Sequence, residues 1–312
     1  LREWRKRISK KTTATSPAKR ADPHGRKAEP WLARLEPRYI WVAGKGGVGK
    51  STCACALATL NAESRNTCVV STDPAGSLSD VFGMRVGPEA REITTRLFAR
   101  QIDASGEFER MRSQYREAVN EVFASFGLNE AAHLDRKVLE SLWDFAPPGI
   151  DEIVSLIEIV EQAGEFDTLI IDSAPTGHFL RLIQLPELAL DWVHSLMRLI
   201  IKYGAAGSLD ALARDLLAFA KRLRQLHTDL STPGTSAVFV VTLDEPMVHA
   251  ETERLSSSLK QAAVPVAATI LNRADSYARV DGRWIMTPDL PDEVVGPPAL
   301  RQFIAQWTLH GE

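Results

Sequence analysis

The chain has 312 residues, of which 45% are hydrophobic and 25% charged, a composition typical of a folded globular protein. Its formal net charge of -3 gives no overall attraction to nucleic acid, so no nucleic-acid partner is expected. Three cysteines are too few for a disulfide scaffold, and no long uncharged apolar run predicts a membrane span. We therefore expect a cytoplasmic protein whose membrane association, if any, is made through a partner.

The N-terminal region is basic. Residues 1–30 are rich in Lys, Arg, Ser, Thr and Pro and poor in apolar residues. Such a segment cannot bury enough surface to order itself, so we predict a disordered tail or linker over residues 1–37 and a folded domain over 38–312. A transit peptide and a linker from a missing upstream lobe are alternatives that the same composition allows.

From residue 38 onward, short apolar runs alternate with helical patterns. Continuous apolar runs of this length are typical of strands buried on both faces, as in a parallel sheet covered by helices. The predicted fold is a doubly wound α/β layer with a mostly parallel sheet. The predicted strands are YIWVA (39–43), TCVVS (67–71), TLIID (168–172), AVFVVT (237–242) and VAATIL (about 265–270).

Two segments are too long for simple crossovers between strands. Residues 105–165 and 186–232 are helix-like, and we predict that they form an inserted helical subdomain. A helix with one apolar stripe is predicted after Ser208. Its stripe consists of Leu209, Leu212, Leu216, Phe219, Leu223 and Leu226.

The segment ALDWVHSLMRLIIKY, within 188–203, carries two apolar stripes instead of one. One interpretation is a helix buried between neighbouring helices. The other is the wall of a groove that holds an apolar client segment.

The stretch GKGGVGKST follows the first long strand and opens a helix. This is the context that a phosphate loop requires, in which backbone N–H groups and the helix N-terminus hold phosphates. Lys50 is expected to reach the β and γ phosphates of ATP, and Ser51 to bind Mg²⁺. The predicted nucleotide-binding residues are Gly44, Lys45, Gly46, Gly47, Val48, Gly49, Lys50, Ser51 and Thr52.

Two carboxylates follow predicted strands near this loop. Asp73 can orient or deprotonate the attacking water, and Asp172 can hold Mg²⁺ through its water shell. An aspartate after a strand is often only a cap or turn residue, so position alone leaves both readings open.

The loop contains an additional lysine, Lys45, at its second position, which gives the pattern G-K-G-G-x-G-K-[ST]. This pattern resembles the deviant phosphate loop of the dimeric ATPases that include the ParA, MinD, nitrogenase iron protein and arsenical-pump groups. The resemblance implies that Lys45 crosses to the partner subunit's nucleotide and offsets charge on the transferring phosphoryl group. It therefore implies an ATP-dependent homodimer, or a pseudo-dimer with a missing lobe. The alternative is a solvated surface lysine.

The segments STDPAGSLSDVFG (71–83) and IDSAPTGHFLRLIQLP (171–186) resemble the two switch segments of the arsenical-pump ATPases (ArsA) and tail-anchored-protein targeting ATPases (Get or TRC). Asn272 matches that family's base-reading asparagine, and Pro288 the loop that covers the base. His178 and Asn272 could alternatively be only turn residues. The switch residues that the resemblance implies are Asp73, Pro74, Ser77, Asp172, Pro175, Thr176, Gly177 and His178.

This chain departs from the family in two respects. The first switch carries Gly76 and Ser77 where the family commonly has a pair such as His-Asn. This difference would leave the role of Asp73 intact but alter the coupling of the switch to ATP or the rate of hydrolysis. Metalloid-pump members place cysteines in the helical region and near the switches, whereas Cys53, Cys55 and Cys68 read as small core residues.

Three functions are compatible with these motifs, and all are ATPases that use ATP and Mg²⁺. The main expectation is an ATPase that drives an anion or metalloid efflux pump, with a membrane transporter as its partner. The first alternative is a targeting chaperone that holds an apolar segment of a tail-anchored client, and the second is a ParA-like or MinD-like positioning ATPase. No C-x-x-C motif or histidine cluster is found, so neither zinc nor an iron–sulfur cluster is expected.

Overall fold

The structure of this protein is a computed structural model. It describes residues 25–71, 77–102, 163–173, 210–274 and 282–311, together with short stretches and single residues at 106, 109, 113, 117, 157, 189–195 and 197–198.

One sheet runs through the described part of the chain and contains ten strands, in the order β1-β10-β9-β8-β7-β2-β6-β3-β5-β4. The seven strands from β9 to β5 run parallel, and antiparallel pairs flank them at both edges. The strands are β1 Arg26–Lys27, β2 Tyr39–Gly44, β3 Thr67–Ser71, β4 Arg91–Thr94, β5 Leu97–Gln101, β6 Thr168–Asp172, β7 Ser236–Thr242, β8 Val266–Leu271, β9 Trp284–Met286 and β10 Thr308–His310.

The centre of the sheet is apolar on both faces. Every residue of β2, β3, β6 and β7 is buried, as expected for parallel strands covered by helices. The predicted α/β class with a mostly parallel sheet is thereby confirmed. The helices are α1 Glu29–Leu32, α2 Lys50–Asn61, α3 Ser77–Phe82, α4 Asp210–Ser231, α5 Pro246–Gln261 and α6 Pro297–Ile304, and a 3₁₀ turn spans Ala163–Glu165.

Helix α2, which follows the phosphate loop, is buried on almost every side. It contacts the sheet, α3 and α6, and its residues from Cys53 to Ala58, all of them small except Leu57, are at most 1% exposed. Small side chains let a helix approach its neighbours closely, so α2 is held rigidly at the centre of the fold.

The prediction of a disordered tail over 1–37 is wrong for residues 25–37. Strand β1 pairs with β10, and Ala28, just before α1, and Leu32 of α1 lie in the core at 0% and 2% exposure. Arg301 of α6 also makes ion pairs with Glu29 and Glu63. The segment has few apolar residues, but distant parts of the chain supply the partners that order it. Residues 1–24 lie outside the described part.

Both edges of the sheet contain strands that the sequence patterns did not indicate. Strand β5 has a mixed sequence, LFARQ, and β4 is largely exposed. Strands β9 and β10 are only three residues long. Short or mixed segments carry a weak periodic signal, because pairing with a neighbouring strand decides their structure.

The helical subdomain falls mostly outside the described residues, so its extent stays a prediction. Within it, α4 is a helix at the expected place, and Leu216, Phe219, Leu223 and Leu226 of its stripe are buried. The side chain of Leu212 and the whole of Ser208 and Leu209 are not described.

The two-stripe segment is described over 189–195 and 197–198, where it is helical. Ala189, Trp192 and Val193 are buried, and the ring of His194 lies 3.2 Å (Nε2 to Nη2) from the guanidinium of Arg224 on α4. One polar contact thus joins the described part of this segment to α4, and the burial of its apolar side chains favours the interpretation as a buried helix.

None of the described helices combines the length and the apolar character needed to cross a membrane.

Candidate nucleotide site

The predicted site residues that the structure describes lie around the carboxyl end of the sheet. Strands β2, β3, β6, β7 and β8 run parallel, so their carboxyl ends lie along the same side of the sheet. Asp172 at the end of β6 lies level with Val42 of β2 and Ser71 of β3. Ligands of open α/β sheets bind outside the carboxyl ends of the strands.

The phosphate loop is packed closely against the ends of β7 and β8. A Cβ added to Gly44, where φ is +150°, would lie 2.3 Å from the carbonyl oxygen of Val241. A Cβ added to Gly49, where φ is +91°, would lie 2.3 Å from Nδ2 of Asn272. Both positions therefore require glycine, for the close approach and for the backbone conformation.

Lys50 begins α2 and is only 7% exposed. Its Nζ donates a hydrogen bond of 3.0 Å to the carbonyl oxygen of Lys45. The ammonium group therefore lies under the loop, where the loop's N–H groups and the helix N-terminus also favour negative charge.

Lys45 lies at the outer part of the same loop. Its Nζ is 3.8 Å from Oε2 of Glu251 on α5, and both side chains are about one-third exposed, at 33% and 35%. An ion pair of this exposure contributes only about 0–1 kcal/mol, so it holds Lys45 weakly. In a single chain, Lys45 thus rests against its own α5.

Ser51, Ser77 and Asp172 come together from three elements. The Ser51 hydroxyl donates to Oγ of Ser77 at 3.0 Å, and the Ser77 hydroxyl donates to Oδ2 of Asp172 at 3.4 Å. Asp172 is 1% exposed. The structure thus joins the two predicted Mg²⁺-holding residues through a residue of the first switch.

Asn272 follows β8 and is 4% exposed. Its Nδ2 donates to the carbonyl oxygen of Val48 at 2.8 Å, and its Oδ1 accepts a hydrogen bond of 2.5 Å from the Thr287 hydroxyl. The side chain therefore braces the phosphate loop, a role that the sequence did not indicate. Recognition of adenine by Asn272 stays a prediction.

A pocket of about 470 Å³ lies beside the loop, large enough for a nucleoside. Pro288 lies in its wall, next to Thr287, and its place in a loop that covers the base stays a prediction. Acidic side chains, among them Asp80 and Asp289, also line it. The lining also includes Gly49 and Thr52 of the phosphate-loop stretch, and Asn272 and Arg273, which follow β8.

Several predicted switch residues lie outside the described part of the chain, and their roles stay predictions. They are Asp73, Pro74, Pro175, Thr176, Gly177 and His178.

All three cysteines are free thiols in the core, with Cys53 and Cys55 at 0% exposure and Cys68 at 1%. Burial raises the pKa of each thiol, to about 12 for Cys68, and the charge of Asp172 raises the pKa of Cys53 and Cys55 further. Thiolates are the form that binds metalloids and soft metals, so these cysteines do not supply such ligands in the folded state.

We expect N-ethylmaleimide at pH 8 to leave all three cysteines of the native protein unmodified, and to modify all three in guanidinium chloride. Mass spectrometry would count the adducts. The variant Ser257→Cys, on the exposed face of α5, is the control and should gain one adduct in the native state. Rapid labelling of the native wild type would contradict the buried placement.

The raised thiol pKa values also predict a loss of stability at alkaline pH. Above the ordinary thiol pKa near 9, the unfolded chain releases these protons while the folded chain retains them, for Cys68 until about pH 12. The free energy of unfolding should therefore fall as pH rises from 9.

Among the described residues, no group of three or more His, Cys, Asp or Glu side chains is arranged to hold a metal ion. The expectation of no zinc and no iron–sulfur cluster stays a prediction.

Comparison with known proteins adds two findings. Residues 37–278 match the family model described as anion-transporting ATPase. Over 255 residues the chain is 29% identical to the ATPase get3 of Aspergillus terreus, and the alignment covers 76% of this chain and 73% of that relative. These matches confirm the resemblance that the phosphate loop and switch segments indicate.

Proposed function

This chain belongs to the anion-transporting ATPase family and is an ATPase of the ArsA/Get3 type, and from that premise we propose that it is a targeting ATPase for tail-anchored client proteins. In this proposal, ATP binding and hydrolysis control the capture and release of an apolar client segment. Export of a metalloid anion, the main expectation from the sequence, is the second candidate.

The observation that carries the choice is the burial of all three thiols. A pump ATPase that responds directly to arsenite or antimonite needs accessible soft ligands, and Cys53, Cys55 and Cys68 are at most 1% exposed with raised pKa values. The similarity to the ATPase get3 over about three-quarters of both chains favours the targeting reading as well. A positioning ATPase of the ParA or MinD type has no comparable support.

The geometry fits Mg²⁺ and ATP. The oxygens of Ser51, Ser77 and Asp172 are hard ligands of the kind that Mg²⁺ prefers, and they lie beside the phosphate loop. When bound, the ion would neutralise charge on the phosphates. Lys50 would contact the phosphates from beneath the loop, and the pocket beside Pro288 would hold the nucleoside.

The remaining steps are assigned to residues by the family resemblance. Asp73 would orient the attacking water, and His178 and its neighbours would respond to loss of the γ phosphate. Lys45 would act on the nucleotide of a second subunit in an ATP-dependent homodimer.

The proposal is tested by photo-crosslinking the full chain to a client with a C-terminal apolar helix that carries a photoreactive residue. We expect crosslinks that require ATP or a non-hydrolysable analogue. A matched client with two arginines in the middle of its apolar helix should not crosslink, because charge there is costly to bury.

The second candidate is tested in parallel by the ATP hydrolysis rate with and without antimonite, under reducing conditions. No stimulation is expected. Stimulation by antimonite without client crosslinking would reject the targeting proposal in favour of a metalloid-coupled pump.

A further inference from the structure

The hydroxyl of Ser77 lies between the two groups proposed to hold Mg²⁺. It accepts a hydrogen bond from Ser51 at 3.0 Å and donates one to Asp172 at 3.4 Å. An ion held by Ser51 and Asp172 would therefore lie next to Ser77. Binding of the ion would either break the two hydrogen bonds of the Ser77 hydroxyl or make that hydroxyl one of the ligands.

We propose that Ser77 Oγ is itself a ligand of Mg²⁺ when nucleotide is bound, so that helix α3 is attached directly to the ion. The inference rests on the Mg²⁺ assignment in the proposed function and adds a ligand from the first switch, besides Ser51 and the water-mediated Asp172.

The first argument is distance. Mg²⁺ holds six oxygens in near-ideal octahedral geometry at 2.0–2.1 Å, so neighbouring ligand oxygens are about 3 Å apart. The measured Ser51–Ser77 separation of 3.0 Å matches that spacing without rearrangement. Asp172 can then accept the hydrogen bond of a coordinated hydroxyl, as carboxylates commonly do around metal ligands.

The second argument is the rigidity of the element that carries Ser77. It is the first residue of α3, whose Leu78 and Phe82 are 0% and 2% exposed and anchor the helix in the core. Asp80 of the same short helix lines the nucleoside pocket. Helix α3 would therefore connect the ion to the pocket wall, and loss of the ion would release one end of a buried element.

The test measures binding of a non-hydrolysable ATP analogue to the full chain by calorimetry while the divalent ion is varied. Ser77→Ala is expected to raise the Mg²⁺ concentration for half-maximal nucleotide binding by about tenfold, the size of effect typical for losing a group around a metal. Ser77→Thr, which retains a hydroxyl, should stay close to wild type.

Changing the metal ion shows whether the side chain at position 77 coordinates the ion or only supports the fold. Ser77→Cys should bind nucleotide poorly with Mg²⁺ and recover with Cd²⁺, because a thiolate prefers the softer ion. Ser79→Cys is the matched control on the same helix. The Ser79 hydroxyl accepts a hydrogen bond from the backbone N–H of Val86 at 3.0 Å, so this variant should bind nucleotide with Mg²⁺ as the wild type does and should gain no affinity from Cd²⁺.

The variant Ser51→Cys shows whether a negative result concerns only Ser77 or the whole Mg²⁺ site. Thermal melting verifies that each variant is folded. If Ser51→Cys recovers with Cd²⁺ and Ser77→Cys does not, Ser77 is not a ligand and the inference is overturned while the Mg²⁺ site stands. If neither recovers, both are overturned. An unchanged Mg²⁺ requirement in Ser77→Ala would also overturn the inference.

Discussion

Lys50→Ala is expected to lower the rate of ATP hydrolysis by at least about 100-fold, the usual cost of removing one electrostatic contact to a developing charge. Lys50 is 7% exposed, and its Nζ lies within hydrogen-bond distance of the loop backbone. No other described lysine reaches beneath the loop, so the charge would not be replaced. Nucleotide affinity should fall as well, because in the proposed function the ammonium group also contacts the phosphates of the bound nucleotide before hydrolysis.

The measurement is steady-state phosphate release by the full chain, with nucleotide binding measured by calorimetry. Lys260→Ala, on the exposed side of α5, is the matched control and should hydrolyse ATP at the wild-type rate. Thermal melting of both variants separates loss of chemistry from loss of fold. A Lys50→Ala protein that is folded and hydrolyses ATP at half the wild-type rate or more would mean that the loop is not the catalytic site.

Lys45→Ala is expected to bind nucleotide with little change but to lose hydrolysis by at least about 100-fold, together with ATP-driven dimerisation. A charge supplied by another subunit to the transferring phosphoryl group is worth that much or more in other nucleotide hydrolases. Within the described part of the chain, the side chain of Lys45 makes a weak ion pair with Glu251, and the substitution of that side chain should remove little from the fold.

Glu251→Gln is the control for this prediction. It removes the 3.8 Å ion pair but leaves Lys45 in place, so hydrolysis should be close to wild type. If Glu251→Gln and Lys45→Ala lost activity equally, the pair itself would be the important feature, and action on a second subunit would no longer be needed to explain the loss.

Mixing two inactive variants tests whether Lys45 acts on the partner's nucleotide. A Lys50→Ala subunit cannot use its own site but still carries Lys45, which a Lys45→Ala subunit lacks. If Lys45 acts in trans, the mixture should regain hydrolysis, since each mixed dimer contains one complete site. No recovery, with mixed dimers present by size-exclusion chromatography, would place the action of Lys45 within its own chain.

The central strands and the phosphate loop were predictable because their signals are local. Strand β2 was predicted at 39–43 and ends at Gly44, while β3 and β6 have the predicted bounds 67–71 and 168–172. Each is a continuous apolar run, and burial on both faces leaves that signature in consecutive residues.

The edges of the fold were not predictable in this way. Residues 25–37 have a composition that indicates disorder, yet β1 pairs with β10, about 280 positions later in the chain. Composition measures what a segment can bury by itself, whereas Ala28 and Leu32 are buried by surfaces that other segments supply.

The sequence by itself determined the nucleotide-binding class of this protein, because nine consecutive residues, from the last residue of β2 to the first turn of α2, contain the whole phosphate loop. Only the tertiary structure decided what surrounds that loop. Ser77 meets Asp172, 95 positions away, and Asn272 braces Val48, 224 positions away. Such contacts depend on which strands become neighbours in the sheet, and strand order follows from the packing of the whole chain rather than from any local pattern.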